Sequence, residues 1–213
     1  VLYYIASACN SGLRKIGYAW SSSVEGPWTR VDEPVSLGED ANNPAPYVHA
    51  DGSILLGYRD RNLHMNIAEA PSFRGSYRVL VRDIFPQGKL EDPALFFRNG
   101  EYHMVMEDNE GMLTGNVRFG GHLVSRDRIS WRPHPFRTAY THDIEYDDGT
   151  SITADRRERP ELFSDYTDAK GVGEPSHLIT GVLSNNKTWS VIQTIAETTG
   201  SNKADPDDAI QRA

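Results

Sequence analysis

An internal repeat of 49 residues constrains this chain more than any other feature. Ala19, Gly26 and Trp28 return as Ala68, Gly75 and Tyr77 (68 − 19 = 49), and Pro44 returns as Pro93 at the same offset. Residues 121–131, from Gly121 through Ser125 and Asp127 to Trp131, form a further copy of the closing segment. The next proline of the series, Pro160, follows Pro93 after 67 residues (160 − 93 = 67), the unit being stretched by an insertion over residues 141–155. Self-similarity at a period of about 20–50 residues marks solenoids, propellers and arrays.

Inside each unit the pattern is β. Tyr47-Val48 leads through Asp51-Gly52 to Ile54-Leu55-Leu56-Gly57-Tyr58, and Leu95-Phe96-Phe97 leads through Asn99-Gly100 to Tyr102-His103-Met104-Val105-Met106. Asp-Gly and Asn-Gly between apolar runs signal tight hairpins, because both turn residues adopt positive φ. Leu162-Phe163 followed by residues 177–182 reads as the last copy. Proline is tolerated at the first residue of a strand, so Pro44, Pro93 and Pro160 are expected at three strand entrances. The expected fold is all-β, a β-propeller of four-stranded blades. A β-sandwich also has short strands and turns, but it does not require a constant offset. Three well-marked blades and a partial one at each end fit residues 1–195. A ring of five blades in the full-length protein would draw on residues beyond the termini, and Val1 reads as the middle of a strand. Residues 196–213, polar and poor in apolar side chains, read as a disordered tail or part of a further strand.

Composition removes several function classes. A net charge of −8 and a pI near 5.3, with no Lys/Arg cluster interleaved with aromatics, argue against nucleic acid. Cys9 is the sole cysteine, which excludes an intramolecular disulfide and a cysteine-based zinc site. No apolar run approaches the roughly 20 residues of a membrane-spanning helix.

The chemistry lies beside the repeated prolines: Asn42-Asn43-Pro44, Glu91-Asp92-Pro93 and Glu158-Arg159-Pro160. Carboxylates gathered at equivalent strand ends point to acid/base work on a sugar, since strand ends of neighbouring blades converge on one channel. Acids at strand ends also serve as plain turn caps, and that reading stays open for Asp92 and Glu158. Glu91 reads as a rim or structural acid. Glu161, inside its strand, is expected to pair with a basic neighbour, and Glu174-Pro175, after Gly171-Val172-Gly173, to be a loop. Arg157 and Arg159 are expected to turn away into the blade interfaces, with the alternative that one holds an anionic sugar. Arg59 and Asp60 are candidates for the channel rim. Trp20 and Tyr58 are the aromatic candidates for stacking on a sugar, whereas Trp28 and Trp131 are expected in the core. Tyr140, His142 and Asp143 lie on the insertion, a candidate substrate wall. His103 and His177 occupy equivalent second-strand positions, which favours packing over metal binding. Residues 107–111 are acidic but lack the ligand spacing of a calcium loop, so no metal and no cofactor is indicated.

In order and spacing, these motifs resemble the five-bladed β-propeller glycoside hydrolases of the family 43 and family 32 superfamily. The residues that carry the likeness are Asn43 to Pro46, Glu91-Asp92-Pro93, Tyr102-His103-Met104 with Glu107-Asp108, Ser125 and Asp127 before Trp131, and Glu158-Arg159-Pro160 with His177-Leu178. The resemblance implies a secreted or periplasmic glycosidase, inverting, acting on a plant or algal poly- or oligosaccharide. It implies Glu158 as general acid and Asp92 as the carboxylate that orients it and tunes its pKa. The general base would lie on a strand ahead of Val1. Related propellers sometimes carry an axial calcium. A non-catalytic carbohydrate-binding propeller is the alternative, and Asn43, Arg59, Asp60, Trp20, Tyr58 and His142 are the candidate sugar contacts under either reading.

Overall fold

The computed structural model describes residues 1–7, 12–38, 40–164 and 174–195; Cys9, Gly171 to Gly173 and the tail after 195 lie outside them. The elements among the described residues are all strands. Blade 1 holds β1 (Leu2–Ser7), β2 (Arg14–Trp20) and β3 (Thr29–Arg30), in the order β1-β2-β3. Blade 2 runs β4 (Ala41–Val48), β5 (Ile54–Asp60), β6 (Met65–Ala70) and β7 (Arg78–Val81) in chain order. Blade 3 does the same with β8 (Leu90–Arg98), β9 (Glu101–Asp108), β10 (Phe119–Ser125) and β11 (Arg132–Tyr140). The insertion forms a separate hairpin, β12 (Asp143–Glu145) with β13 (Ser151–Thr153). Blade 4 follows as β14 (Arg156–Ser164), β15 (Pro175–Ser184) and β16 (Lys187–Thr194). Every pairing is antiparallel. The fold is an all-β propeller, with the 49-residue repeat as its blade.

The three prolines do not open strands. Pro44, Pro93 and Pro160 sit inside β4, β8 and β14, each at a break in register with the second strand of its blade. Asn42 faces Arg59 and Ala45 faces Gly57, so residues 43 and 44 together oppose one partner. Residues 92 and 93 do the same between the pairs Glu91–Glu107 and Ala94–Val105, and 159 and 160 between Glu158–Gly181 and Glu161–Ile179. Two residues against one is a β-bulge. A bulge accommodates a proline in mid-strand because one residue there is left out of the ladder.

Packing between blades explains why the central strands are buried on both faces. Leu55, Met65 and Ile67 of blade 2 meet Leu90, Met104, Met106 and Leu123 of blade 3. Ile16 of blade 1 packs with Ile54, Leu56 and Tyr58 of blade 2, and Phe96 and Val105 of blade 3 with Leu178 of blade 4. Tyr58 is therefore core, 2% exposed, and is withdrawn as a sugar platform. Trp28 shows the opposite error: it lies in a loop and is 43% exposed, because the closing segment of blade 1 forms only the short β3. Trp131 packs against the core as expected. The hairpin β12–β13 does not form a free wall, since Ile144 and Ala154 bury against Val182 and Val191 of blade 4. His103 stacks on Phe96 and His177 meets Phe163 edge-on, the same cross-strand pair in two blades.

Candidate active site

The bulges aim the site. Asn43, Asp92 and Arg159 are their first residues, and all three lie in the left-handed region with φ of 51°, 49° and 57°. Asn and Asp are the non-glycine residues most at home there, because a short polar side chain bonds locally. β4 packs on β8 and β8 on β14, so the three bulges meet at one channel mouth. They line a cavity of about 220 Å³ with Tyr3 and Tyr4 from blade 1 and Glu161 from blade 4.

Asp92 and Glu158 come together here, as the sequence led one to expect, and a third carboxylate joins them. One oxygen each of Asp92, Glu107 and Glu158 lies within 4.8 Å of the others. Glu107 is fully buried, and its carboxyl is pushed up to about 7 by burial, against the pull of Arg118 and Arg156. Asp92, its side chain 11% exposed, is pushed up to about 6 by burial and then by Glu91, with Arg159 opposing. Asn43 donates its amide to Asp92. Protons held at such a cluster near neutral pH belong to the group of carboxyls as a whole.

Four guanidiniums frame the acids. Arg118 Nη1 is 2.8 Å from Glu107 Oε1, and Arg156 pairs with Glu158 while lying 4.0 Å from Glu107 Oε2. Arg59, buried rather than at the rim, donates to Asn42 Oδ1 at 2.8 Å and reaches Glu91 at 3.3 Å, tying blade 2 to blade 3. Arg159 does not turn into an interface as expected: its Nε stands 3.6 Å from Glu158 and 3.9 Å from Asp92. Arg157 does turn away, fully buried, donating to Thr180 and Gln193 and to the carbonyls of Thr141 and Asp143. Asp92, Glu107 and Glu158 could converge on a cation, but with Arg118 on Glu107 and Arg156 on Glu158 they supply fewer oxygens than the roughly 6–8 that calcium takes.

The other candidates separate from this centre. Asp60 accepts from the backbone of Asn62 and His64 and braces its own turn. Trp20 has the guanidinium of Arg74 over its ring at 4.3 Å, outside the cavity lining. His142 bonds through Nε2 to the carbonyl of Arg118 at 3.1 Å, so it reaches the acids only through that arginine. Glu161 faces the cavity and forms no ion pair among the described residues, contrary to expectation. Glu174 pairs with Arg98 directly before β15.

Glu107 and the two tyrosines are absent from the sequence candidates. Glu107 was nevertheless reachable: counting back along the hairpin from Asn99-Gly100 sets it beside Glu91 and Asp92. The same row continues through Gly120 to Tyr140, whose ring covers the glycine. A Cβ at 120 would lie 2.3 Å from that ring. Gly120→Ala is accordingly expected to lower the unfolding free energy by about 1–3 kcal/mol, read from urea denaturation.

No protein-family model and no curated protein matches the chain. Solved structures do. An endo-1,4-β-xylanase from Bacteroides thetaiotaomicron VPI-5482 matches at 18% identity and a TM-score of 0.55, over 92% of this chain and 72% of that one. A GH43 protein from Bacillus licheniformis gives 15%, 0.56, 92% and 37% for the same quantities. An exo-β-1,3-galactanase from Phanerochaete chrysosporium, with galactose, gives 15%, 0.59, 93% and 43%. The chain thus spans less than half the length of the last two. At these identities the likeness establishes a shared fold, that of the family 43 glycoside hydrolases.

Proposed function

We propose that the protein is a glycoside hydrolase in which Glu158 is the general acid and Asp92 its orienting partner. The observation that carries this reading is the convergence of Asp92, Glu107 and Glu158 within 4.8 Å, with Asp92 on the wall of the cavity. Cleaving a glycosidic bond requires a proton at the leaving oxygen, and a carboxyl keeps one near neutral pH only where burial or a neighbouring charge disfavours ionisation. Burial supplies that at Asp92 and Glu107. Arg156 and Arg159 hold Glu158 in place, and Tyr4 offers a ring at the cavity wall.

Carboxyls about 5–5.5 Å apart suit retention, with one as nucleophile, whereas inversion needs about 6.5–9.5 Å to admit a water. Asp92 is close enough to Glu158 for the first, but burial raises its pKa and so disfavours the ionised form that a nucleophile needs. Inversion is therefore preferred, with a base on the innermost strand of blade 1. Among the described residues blade 1 holds counterparts of the second, third and fourth strands only. A poly- or oligosaccharide met outside the cell or in the periplasm is the proposed substrate. The test is proton NMR of the first product formed by the complete protein. An inverted anomer supports the assignment, a retained one makes Asp92 the nucleophile, and binding without product moves the reading to a carbohydrate-binding propeller.

A further inference from the structure

Blade 4 carries arginine at the bulge position that blades 2 and 3 give to Asn43 and Asp92. Arginine has no short polar group with which to favour the left-handed conformation, yet it holds φ of 57°. A non-glycine residue kept in that region is a place to look for function. The strained backbone delivers the side chain to the cavity, where it is 75% exposed. Its Nε faces Asp92 and Glu158 at 3.9 and 3.6 Å, beyond hydrogen-bond distance. Its two terminal nitrogens make no hydrogen bond and no ion pair among the described residues. The other three guanidiniums are committed: Arg59 to Asn42 and Glu91, Arg118 to Glu107, Arg156 to Glu158.

We infer that Arg159 receives a carboxylate of the substrate, so that the sugar seated in this cavity is a uronic acid. The inference rests on the glycoside hydrolase reading and narrows its substrate class. A planar guanidinium fork with both terminal nitrogens available matches a carboxylate in two parallel hydrogen bonds, which an ammonium or an amide does not reproduce. An anion entering beside so many acids would be repelled if all were ionised. Burial raises the pKa of Asp92 and of Glu107, to about 6 and about 7, and so disfavours their charged forms, however. As pH falls these two carboxyls lose charge while Arg159 on the cavity wall keeps its own, so the repulsion of an entering anion weakens. Uronate affinity should consequently rise as pH falls from 7.5 to 5.5.

The experiment is calorimetric titration of the whole protein at pH 5.5 with two matched pairs, galacturonate against galactose and glucuronate against glucose. None of these free sugars contains a bond to cleave. In one pair the uronate is expected to bind about 10- to 100-fold more tightly than the neutral sugar. Arg159→Asn, which places at 159 the residue that blade 2 already holds in this conformation at Asn43, should bring that ratio close to one; Arg159→Lys should leave it in between. Equal binding of both members of each pair, or a ratio that Arg159→Asn leaves unchanged, overturns the uronate assignment. Should that happen while glycoside hydrolysis persists, the proposed function stands without it. Failure of all four sugars to bind overturns it as well, and absence of hydrolysis besides removes both readings.

Discussion

Glu158→Gln is expected to lower kcat/KM for a natural glycoside by about 10²- to 10⁴-fold while leaving sugar binding in place. Glutamine keeps the volume and the acceptor of the side chain and loses only the proton that must reach the leaving oxygen. The neighbours tolerate the change. Arg156 and Arg159 lose a charged partner, but their side chains are 37% and 75% exposed and water replaces it. The loss should shrink for a nitrophenyl glycoside, whose leaving group departs without protonation. That pattern separates a missing acid from a distorted site, in which both substrates suffer alike. Normal turnover of the natural glycoside by the variant would remove Glu158 from the mechanism.

Glu107→Gln is expected to flatten the dependence of stability on pH. The carboxyl of Glu107 is moved from an ordinary 4.5 to about 7 by burial. A group whose pKa rises on folding contributes its full stability below the unfolded value, and that contribution is lost as pH climbs through the folded one. For Glu107 the window runs from 4.5 to 7, and the amount is about 3 kcal/mol. Glutamine still accepts from Arg118 but has nothing to ionise. The difference in unfolding free energy between the two proteins, measured in urea from pH 4 to 8, should thus change by that amount in favour of the variant. His122, buried against His103 and His134 and held well below the ordinary imidazole value by burial, acts with the opposite sign. Its contribution is complete above pH 6.5 and fades below it. Being common to both proteins, it cancels in the difference. Parallel profiles would mean that Glu107 is not the group that burial opposes.

The contrast between Asp92 and Glu107 shows what could be read along the chain. Asp92 was visible because it stands beside a repeated proline, a local mark. Glu107 carries no such mark, and its role comes from the neighbouring strand through the register of the Asn99-Gly100 hairpin. Arg118 and Arg156 were harder still, since neither stands in a motif: Arg118 reaches Glu107 from the turn ahead of β10, and Arg156 meets Glu158 within β14 and nears Glu107 of β9. Tyr58 failed for a different reason. Its sequence neighbours are the polar Arg59 and Asp60, yet the whole of β5 is buried between two blades, so polarity along the strand did not report exposure.

The sequence alone determined the blade and its number of strands, because a 49-residue period with hairpin signals at fixed places has few ways to bury its apolar faces. It also determined which acids are equivalent from blade to blade. The direction in which each side chain points was decided by the tertiary structure. A bulge of one residue, its left-handed conformation and the packing of β4 on β8 and of β8 on β14 turn Asn43, Asp92 and Arg159 into a single cavity. Distances of that kind, between residues far apart in the chain, are set by how blades pack, and no local pattern encodes them.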